Sequence, residues 1–161
     1  MSFRSPLADV AIPDMTLFDY LFGDIDAVAD QPALIDGPSG AVTTYRGLVG
    51  RISALAGGLA QRGFHEGHVA AILCPNAPVF VTVFHGILRA GGTATTINSL
   101  YTVDDITGQL ADSAATYLFT ISLFLPQAAA AAERVGLPAA NIVVIDESDP
   151  VACGRTSLRQ L

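Results

Sequence analysis

The sequence predicts an α/β fold with a mainly parallel sheet, helices on both faces of that sheet, and a β-hairpin before it. Short apolar runs that are typical of buried strands alternate with amphipathic segments of about ten residues. A turn-forming tetrapeptide separates two short strand-like segments early in the chain. Glycine and proline stand at the junctions between the predicted elements, where helices and strands end.

The N-terminal segment predicts an extended arm over residues 1–15, because prolines and acids are scattered there without periodicity. The folded domain is expected to cover residues 16–161. Thr16 can cap a short helix that Gly23 ends. The apolar residues of that helix are Leu17, Phe18, Tyr20 and Leu21.

A hairpin and a helix follow. Ala33–Asp36 and Ala41–Tyr45 flank Gly37–Gly40, which predicts a hairpin with a four-residue loop. The next helix ends at Gly63, and its apolar positions at i, i+4, i+7 and i+11 are Leu48, Ile52, Leu55 and Leu59. Glycines inside it cost up to about 1 kcal/mol each relative to alanine, so we expect them to permit close packing. They are Gly50, Gly57 and Gly58.

The centre of the sheet is predicted to be a strand, a crossover helix and a parallel strand. Val69–Leu73 is an unbroken apolar run that Pro75 ends, since proline has no N–H for a ladder. Thr93–Ile97 is mostly β-branched, as in the second strand of such a unit. The helix between them can end at Gly91–Gly92 in the left-handed conformation. Its predicted apolar stripe is Phe80, Val83, Phe84, Ile87 and Leu88.

The last part of the chain predicts three more helices and two more strands. Thr102 can cap a helix with acids in its first turn. Tyr117–Ile121 and Ile142–Ile145 are apolar enough to be the third and fourth strands. An alanine-rich helix between them runs from Pro126 to Gly136. Residues 157–161 could begin a last short helix.

Charge and composition exclude several classes of function. A net charge of −7 argues against a nucleic-acid partner. The eight basic residues are all arginine, so this sequence contains neither a Walker loop nor a Schiff-base lysine. Only 14% of the residues are charged, against about 25% in an average domain, and 51% are hydrophobic. We therefore expect apolar surface that self-association or a partner could cover.

The two cysteines and the N-terminus predict a soluble cytoplasmic protein. Cys74 and Cys153 are far apart and have no metal or redox spacing, as expected of reduced thiols. The N-terminus lacks the apolar segment of a signal peptide, and no apolar run approaches the ~18 residues of a membrane span. We predict no metal site. His65 and His68 are three residues apart around a glycine, which favours an exposed turn over a zinc site.

Candidate site residues follow the second central strand. Asn98, Ser99 and Tyr101 leave the carboxyl end of that strand, where open α/β sheets place their ligands. They are our candidates for the edge of a substrate site. Asn98 could instead satisfy backbone groups, and Tyr101 could pack on the next helix. His85 is expected to be a hydrogen-bonded, partly buried residue of the central helix rather than a catalytic one.

Ordered motifs between about Ile12 and Ile145 resemble the 4-coumarate–CoA ligase branch of the adenylate-forming acyl-CoA synthetases. The motifs are IPDMTLFDYL, PALIDGPSG, TYRGL, GGLAQRG, PNAPVF, RAGG and TTINSLYT. This resemblance implies the first portion of the large N-terminal, AMP-binding domain of such an enzyme. A full-length parent would activate a carboxylic acid with Mg-ATP, release pyrophosphate, and transfer the acyl group from AMP to coenzyme A. The family usually has proline where this chain has Ser99.

Several motifs of that family have no counterpart in this sequence. The Thr/Ser/Gly-rich phosphate loop, the adenine motif and the catalytic lysine are missing, so no catalytic or cofactor-binding residue is carried over. We expect an N-terminal fragment that is inactive alone, with ATP, Mg and CoA used by the parent and the remainder of the chain as partner. An alternative is a truncated, non-catalytic paralogue that acts as an interaction module through its sheet edge. A free-standing nucleotide-binding domain would need glycine-rich motifs that are absent here.

Overall fold

The computed structural model describes residues 6–8, 10–146 and 156–158, and it has the predicted α/β architecture. Its helices are α1 (Leu17–Phe22), α2 (Tyr45–Gln61), α3 (Pro78–Arg89), α4 (Val103–Asp112) and α5 (Leu125–Arg134). Its strands are β1 (Pro32–Ile35), β2 (Val42–Thr44), β3 (Val69–Leu73), β4 (Thr93–Ile97), β5 (Tyr117–Thr120), β6 (Ile142–Val144) and β7 (Thr156–Ser157).

Strands β3 to β7 form one parallel sheet in the order β4-β3-β5-β6-β7. The chain enters this sheet at β3, crosses to β4 on one side of β3, and then returns to form β5 on the other side of β3. The strand order therefore reverses between β3 and β5, and open α/β sheets bind ligands outside the carboxyl ends of their strands at such a point. Ser157 pairs with Val144, which corrects the expected start of a helix at residue 157. Residues 159–161 of that expected helix lie outside the described residues.

Helices cover both faces of the sheet, as the alternation of its apolar residues requires. One face packs against α2 and α3, and its buried strand residues include Ala70, Ile72 and Phe119. The other face packs against α4 and α5, and it buries Leu73 and Leu118. Successive residues of β3 thus enter opposite cores, which is why that run reads as continuously apolar.

The N-terminal elements form a smaller cluster beside α2 and α3. Phe18 of α1 is buried there with Leu48 and Ile52 of α2. The hairpin closes as predicted, because the Asp36 N–H donates to the Ala41 carbonyl at 2.9 Å across the loop. Its second strand is shorter than expected. Thr44 ends the strand and caps α2 by accepting the Gly47 N–H at 3.2 Å, so Tyr45 already belongs to the helix.

The exposed face of α3 is broader than the sequence predicts. The buried residues of α3 are Thr82, Val83, Gly86 and Ile87. Phe80, Phe84 and Leu88 were expected inside but are only half-buried. Phe80 and Phe84 lie at the margin of the core between α2, α3 and the sheet, where they pack against it on one side only.

Residues 6–8 and 10–15 contain neither helix nor strand, and the extended arm over residues 1–15 stays a prediction. Residues 1–5 and 9 of that predicted arm lie outside the described residues. The boundary of the folded domain at residue 16 remains a prediction. Among the described residues, no helix combines the length and the apolar character that crossing a membrane requires.

Candidate functional site

A cavity of about 590 Å³ lies at the carboxyl ends of β3 and β4, next to the point where the strand order reverses. Its volume is within the range of small-molecule sites, about 300–1,000 Å³. The residues that line it are Cys74, Pro75, Asn76, Phe80, Thr96, Ile97, Asn98, Ser99 and Tyr101. All three candidates predicted from the sequence are among them.

The parallel register of the two strands places these residues together. Leu73 pairs with Ile97, so both strands end at the same level and both following loops face the same side. Pro75 ends β3, and Pro78 begins α3 in its first turn, where a missing N–H costs nothing. The resulting short turn brings the Phe80 ring, one half-turn into the helix, to the cavity wall.

The loop after β4 is held by its own hydrogen bonds. The Asn98 side-chain oxygen accepts the Leu100 N–H at 3.0 Å, and the Asn98 carbonyl accepts the Tyr101 N–H at 3.0 Å. The alternative role for Asn98, satisfying backbone groups, is therefore present in the structure. Its amide nitrogen stays available to a ligand, because Asn98 is exposed. Tyr101 is 41% exposed, so its ring is not fully packed on α4.

None of the described residues that line the cavity carries a charged side chain. Cys74 is 7% exposed, and its thiol donates to the Pro75 carbonyl at 3.2 Å. Burial, with a smaller contribution from the negative charge of Asp146, raises the pKa of the Cys74 thiol to about 11. The thiol is therefore neutral near pH 7, and a neutral buried thiol is a poor nucleophile. The wall offers amides, hydroxyls and rings, which suit an uncharged or aromatic group better than a phosphate.

Asp146 lies at the neighbouring strand ends, after β6. Its carboxylate accepts the Ser122 N–H at 3.0 Å and the Ser122 hydroxyl at 2.8 Å. These bonds join the turn after β5 to the end of β6. Thr120, at the end of β5, is fully buried, and its hydroxyl oxygen has no hydrogen-bond partner among the described residues.

Sequence reasoning named three of the nine lining residues and missed the other six, among them a polar and an aromatic side chain after β3. Asn76 and Phe80 follow β3, whereas the sequence pointed only to the loop after β4. The signal was available, because the same rule about carboxyl strand ends applies to β3. Asn76 also borders a second cavity of about 250 Å³ between the hairpin and the start of α3.

The histidines do not join this site. His65 and His68 lie in the predicted turn, where the His65 N–H donates to Nδ1 of His68 at 3.1 Å. Their ring centroids are 4.1 Å apart. The described residues contain no group of three or more His, Cys, Asp or Glu side chains placed to hold a metal ion. His85 does not line the cavity, and the expectation that it is hydrogen-bonded is wrong at one ring nitrogen: Nδ1 is buried and has no partner among the described residues.

Comparison with known proteins gives a consistent family. Residues 24–157 match the family described as AMP-binding enzyme. The chain is 35% identical over 123 residues to 4-coumarate–CoA ligase 4 of Arabidopsis thaliana. The aligned segment covers 73% of this chain and 22% of that protein. It is 32% identical over 158 residues to 4-coumarate–CoA ligase 1 of the same plant. This aligned segment covers 98% of this chain and 28% of that protein. The chain thus spans about a quarter of the length of these curated relatives.

Solved structures show the same fold. A long-chain-fatty-acid–CoA ligase from Archaeoglobus fulgidus matches 98% of this chain and 31% of its own, with a TM-score of 0.82 at 18% identity. An anthranilate–CoA ligase in complex with anthranoyl-AMP matches 81% of this chain and 25% of its own, with a TM-score of 0.71 at 26% identity. The family match, the ordered motifs and the parallel sheet agree, and the chain therefore belongs to the family of AMP-binding, adenylate-forming acid–CoA ligases and resembles its 4-coumarate–CoA ligases.

Proposed function

We propose that this chain is the first part of the large domain of an ATP-dependent carboxylate–CoA ligase. The observation that carries the proposal is the family match over residues 24–157 together with relatives of which the matched segment is only 22–28%. In the complete enzyme, the carboxylate would attack the α-phosphate of Mg-ATP and release pyrophosphate. The thiol of CoA would then replace AMP on the acyl carbon.

In this proposal the chain supplies a wall of the substrate site but not the groups that hold ATP. The cavity wall has no cationic side chain, and the sequence has no lysine, so nothing in the wall fits the phosphates of ATP. Those contacts, and the magnesium ion, belong to the remainder of the enzyme. Asn98, Ser99 and Tyr101 would shape the edge of the site against an uncharged part of the acid. A cytoplasmic location is part of the same proposal, and the free thiol of Cys74 supports it.

A chimeric enzyme tests the proposal. This chain would replace the matched segment of Arabidopsis 4-coumarate–CoA ligase 1, and acid-dependent pyrophosphate release would be measured with 4-coumarate and Mg-ATP. We expect release by the chimera and none by the 161-residue chain alone. A folded chimera without activity would contradict the assignment. Release by the pure chain alone would contradict its catalytic incompleteness.

Substitutions within the chimera test the site residues. Tyr101→Ala and Asn98→Ala are expected to raise KM for the acid more than KM for ATP, because both line the uncharged cavity. Gln61→Ala, at the exposed end of α2, is the matched control and should change neither constant. Equal effects on the KM for the acid and the KM for ATP would show that these residues do not contact the acid. Such a result would not contradict the family assignment.

A further inference from the structure

Two pairs of side chains attach α1 to α3. The guanidinium of Arg89 lies 3.8 Å from the centroid of the Phe18 ring. The rings of Phe22 and His85 are 5.2 Å apart and nearly perpendicular, at 89°. Residues four apart lie on one face of a helix, so these two pairs form one continuous contact between the helices.

His85 is enclosed by aromatic rings on both helices. Phe84, its neighbour on α3, also meets the imidazole edge to face, with centroids 5.4 Å apart. Beyond it, Phe80 stacks on Phe84 and lines the cavity. Nδ1 of His85 is buried and has no hydrogen-bond partner among the described residues. The imidazole is therefore held by packing at this nitrogen and not by a polar contact.

This environment favours the neutral imidazole. In the neutral ring Nδ1 can remain an unfilled acceptor, whereas protonation adds both a charge and an N–H that needs an acceptor. Burying an unsatisfied charged donor costs much more than burying an unfilled acceptor. Because Nδ1 is buried, water can reach it only if a neighbouring side chain moves away. Of the two phenyl rings that meet the imidazole edge to face, Phe22 is the one that belongs to a different element, the short helix α1.

Neighbouring charges do not compensate for this burial. The charged side chains of α1, α2 and α3 are Asp19, Arg46, Arg51 and Arg89. Asp19 accepts the Thr16 hydroxyl at 2.7 Å, and Arg46 pairs with Asp30 at 3.0 Å. Burial alone lowers the pKa of His85, with no contribution from any charge. Among the residues that the structure describes, no carboxylate is therefore in place to stabilise an imidazolium.

We propose that His85 is a pH-sensitive latch, which keeps α1 docked on α3 while the imidazole is neutral and releases α1 when the imidazole gains a proton. The docked state has the lower pKa, so the undocked state binds protons more readily. Docking is therefore complete above about pH 6.5, the ordinary pKa of histidine, and is lost as the pH falls below it. Release uncovers Phe18 and Phe22 and adds them to the apolar surface that Leu17 and Leu21 already expose.

Hydrogen exchange of the α1 amides at pH 7.5 and pH 5 tests this proposal, after correction for the intrinsic pH dependence of exchange. We expect the protection of residues 17–22 to fall by up to about tenfold per pH unit below 6.5, while protection of α4 is unchanged. Proton NMR should show that His85 titrates below the ordinary range in the same protein. Equal protection of α1 at both pH values would refute the latch.

Substitution of the histidines separates the latch from general acid sensitivity. His85→Gln cannot gain a proton, so α1 should keep its protection at pH 5. His65→Gln, in the exposed turn, should retain the full loss. If the glutamine variant does not fold, the NMR titration decides alone: a His85 pKa at or above the ordinary value would overturn the proposal. Loss of α1 protection at pH 5 in folded His85→Gln would overturn it as well.

Discussion

Gly86 sets the distance between α2 and α3. A Cβ at this position would lie 2.6 Å from Cδ2 and 2.8 Å from Cγ of Leu55, whose side chain is buried. The sequence assigned the close approach to the glycines of α2, but Gly50 and Gly57 have no atom within 4 Å of an added Cβ. The small residue that the contact with Leu55 requires is Gly86 on α3, whereas the close approach expected at Gly58, which is buried, stays a prediction.

Gly86→Ala should therefore destabilise the protein by about 1–3 kcal/mol, because Leu55 has little room to move in a packed core. Gly57→Ala is the matched control, a glycine-to-alanine change in the exposed face of the neighbouring helix. It should stabilise the protein by up to about 1 kcal/mol through helix propensity. Chemical denaturation measures both. A stabilised Gly86→Ala protein would mean that the two helices are further apart.

Cys74 should react slowly with thiol reagents. A pKa of about 11, two units above the ordinary 9.0, lowers the thiolate fraction at pH 8 by about a hundredfold, and burial slows access further. The rate is measured in a Cys153→Ser background, with the denatured protein as reference. Asp146→Asn removes the smaller cause of the shift, so a modest acceleration is expected. Labelling as fast as in the denatured chain would contradict the buried position of Cys74.

At the scale of elements, β4 is one of the two edge strands of the sheet among the described residues, and β7 is the other. The Thr93 N–H donates to the His68 carbonyl at 2.9 Å, so alternate residues point their backbone groups at β3. Ala94 and Thr96 therefore point theirs outward. The Gln109 amide donates to the Thr96 carbonyl at 3.0 Å and to the Thr95 hydroxyl at 2.9 Å. One side chain of α4 thus covers part of an edge that has neither charge nor proline to protect it.

Gln109→Ala should increase association through this edge, because it uncovers the Thr96 carbonyl. Sedimentation at several concentrations measures the shift, and Gln61→Ala serves as a control that leaves the edge unchanged. The substitution should also lower the free energy of unfolding by about 0.5–1.5 kcal/mol through the lost hydrogen bonds. An association constant equal to that of the control would show that the edge is not the contact surface.

At the scale of the whole molecule, apolar surface exceeds what the described residues cover. The large apolar side chains of the N-terminal segment that are exposed are Leu7, Val10, Ile12, Met15, Leu17, Tyr20 and Leu21. Others are exposed on the hairpin and near the cavity, including Ile35, Val42 and Leu100, the last at 88%. Such surface is usually buried against other protein.

We therefore expect the isolated chain to self-associate at physiological salt. The net charge of −7 opposes association, but salt screens it beyond about 8 Å. Burying a few hundred Å² of apolar surface at about 25 cal/mol/Å² can exceed that repulsion, although association costs absorb part of the gain. Sedimentation velocity over a range of concentrations is the measurement. A sharp monomer at the highest concentration would contradict the expectation.

Local patterns alone determined the element boundaries at the centre of this fold. The strands 69–73 and 93–97 appear where the apolar and β-branched runs placed them. The Thr102 cap also forms as predicted, with the Thr102 hydroxyl accepting the Asp105 N–H at 3.3 Å. The cap depends on interactions within a few residues, so the sequence contains its full physical cause. The strands were recognisable from their local apolar and β-branched composition, although their ladders join residues far apart in the chain. The three cavity residues after β4 were predicted for a similar reason, since carboxyl strand ends define where ligands bind.

Tertiary structure decided the features that depend on partners distant in the chain. Ser157 extends the sheet because β6 offers an open edge, which no local propensity of residues 157–161 reveals. Phe84 is half-buried at the margin of the core, and its helical spacing could not show that. Likewise, Gly86 faces Leu55 and His85 faces Phe22 only after the helices have packed. Periodicity tells which side of an element is apolar, whereas the packing of other elements determines how much of that side is covered.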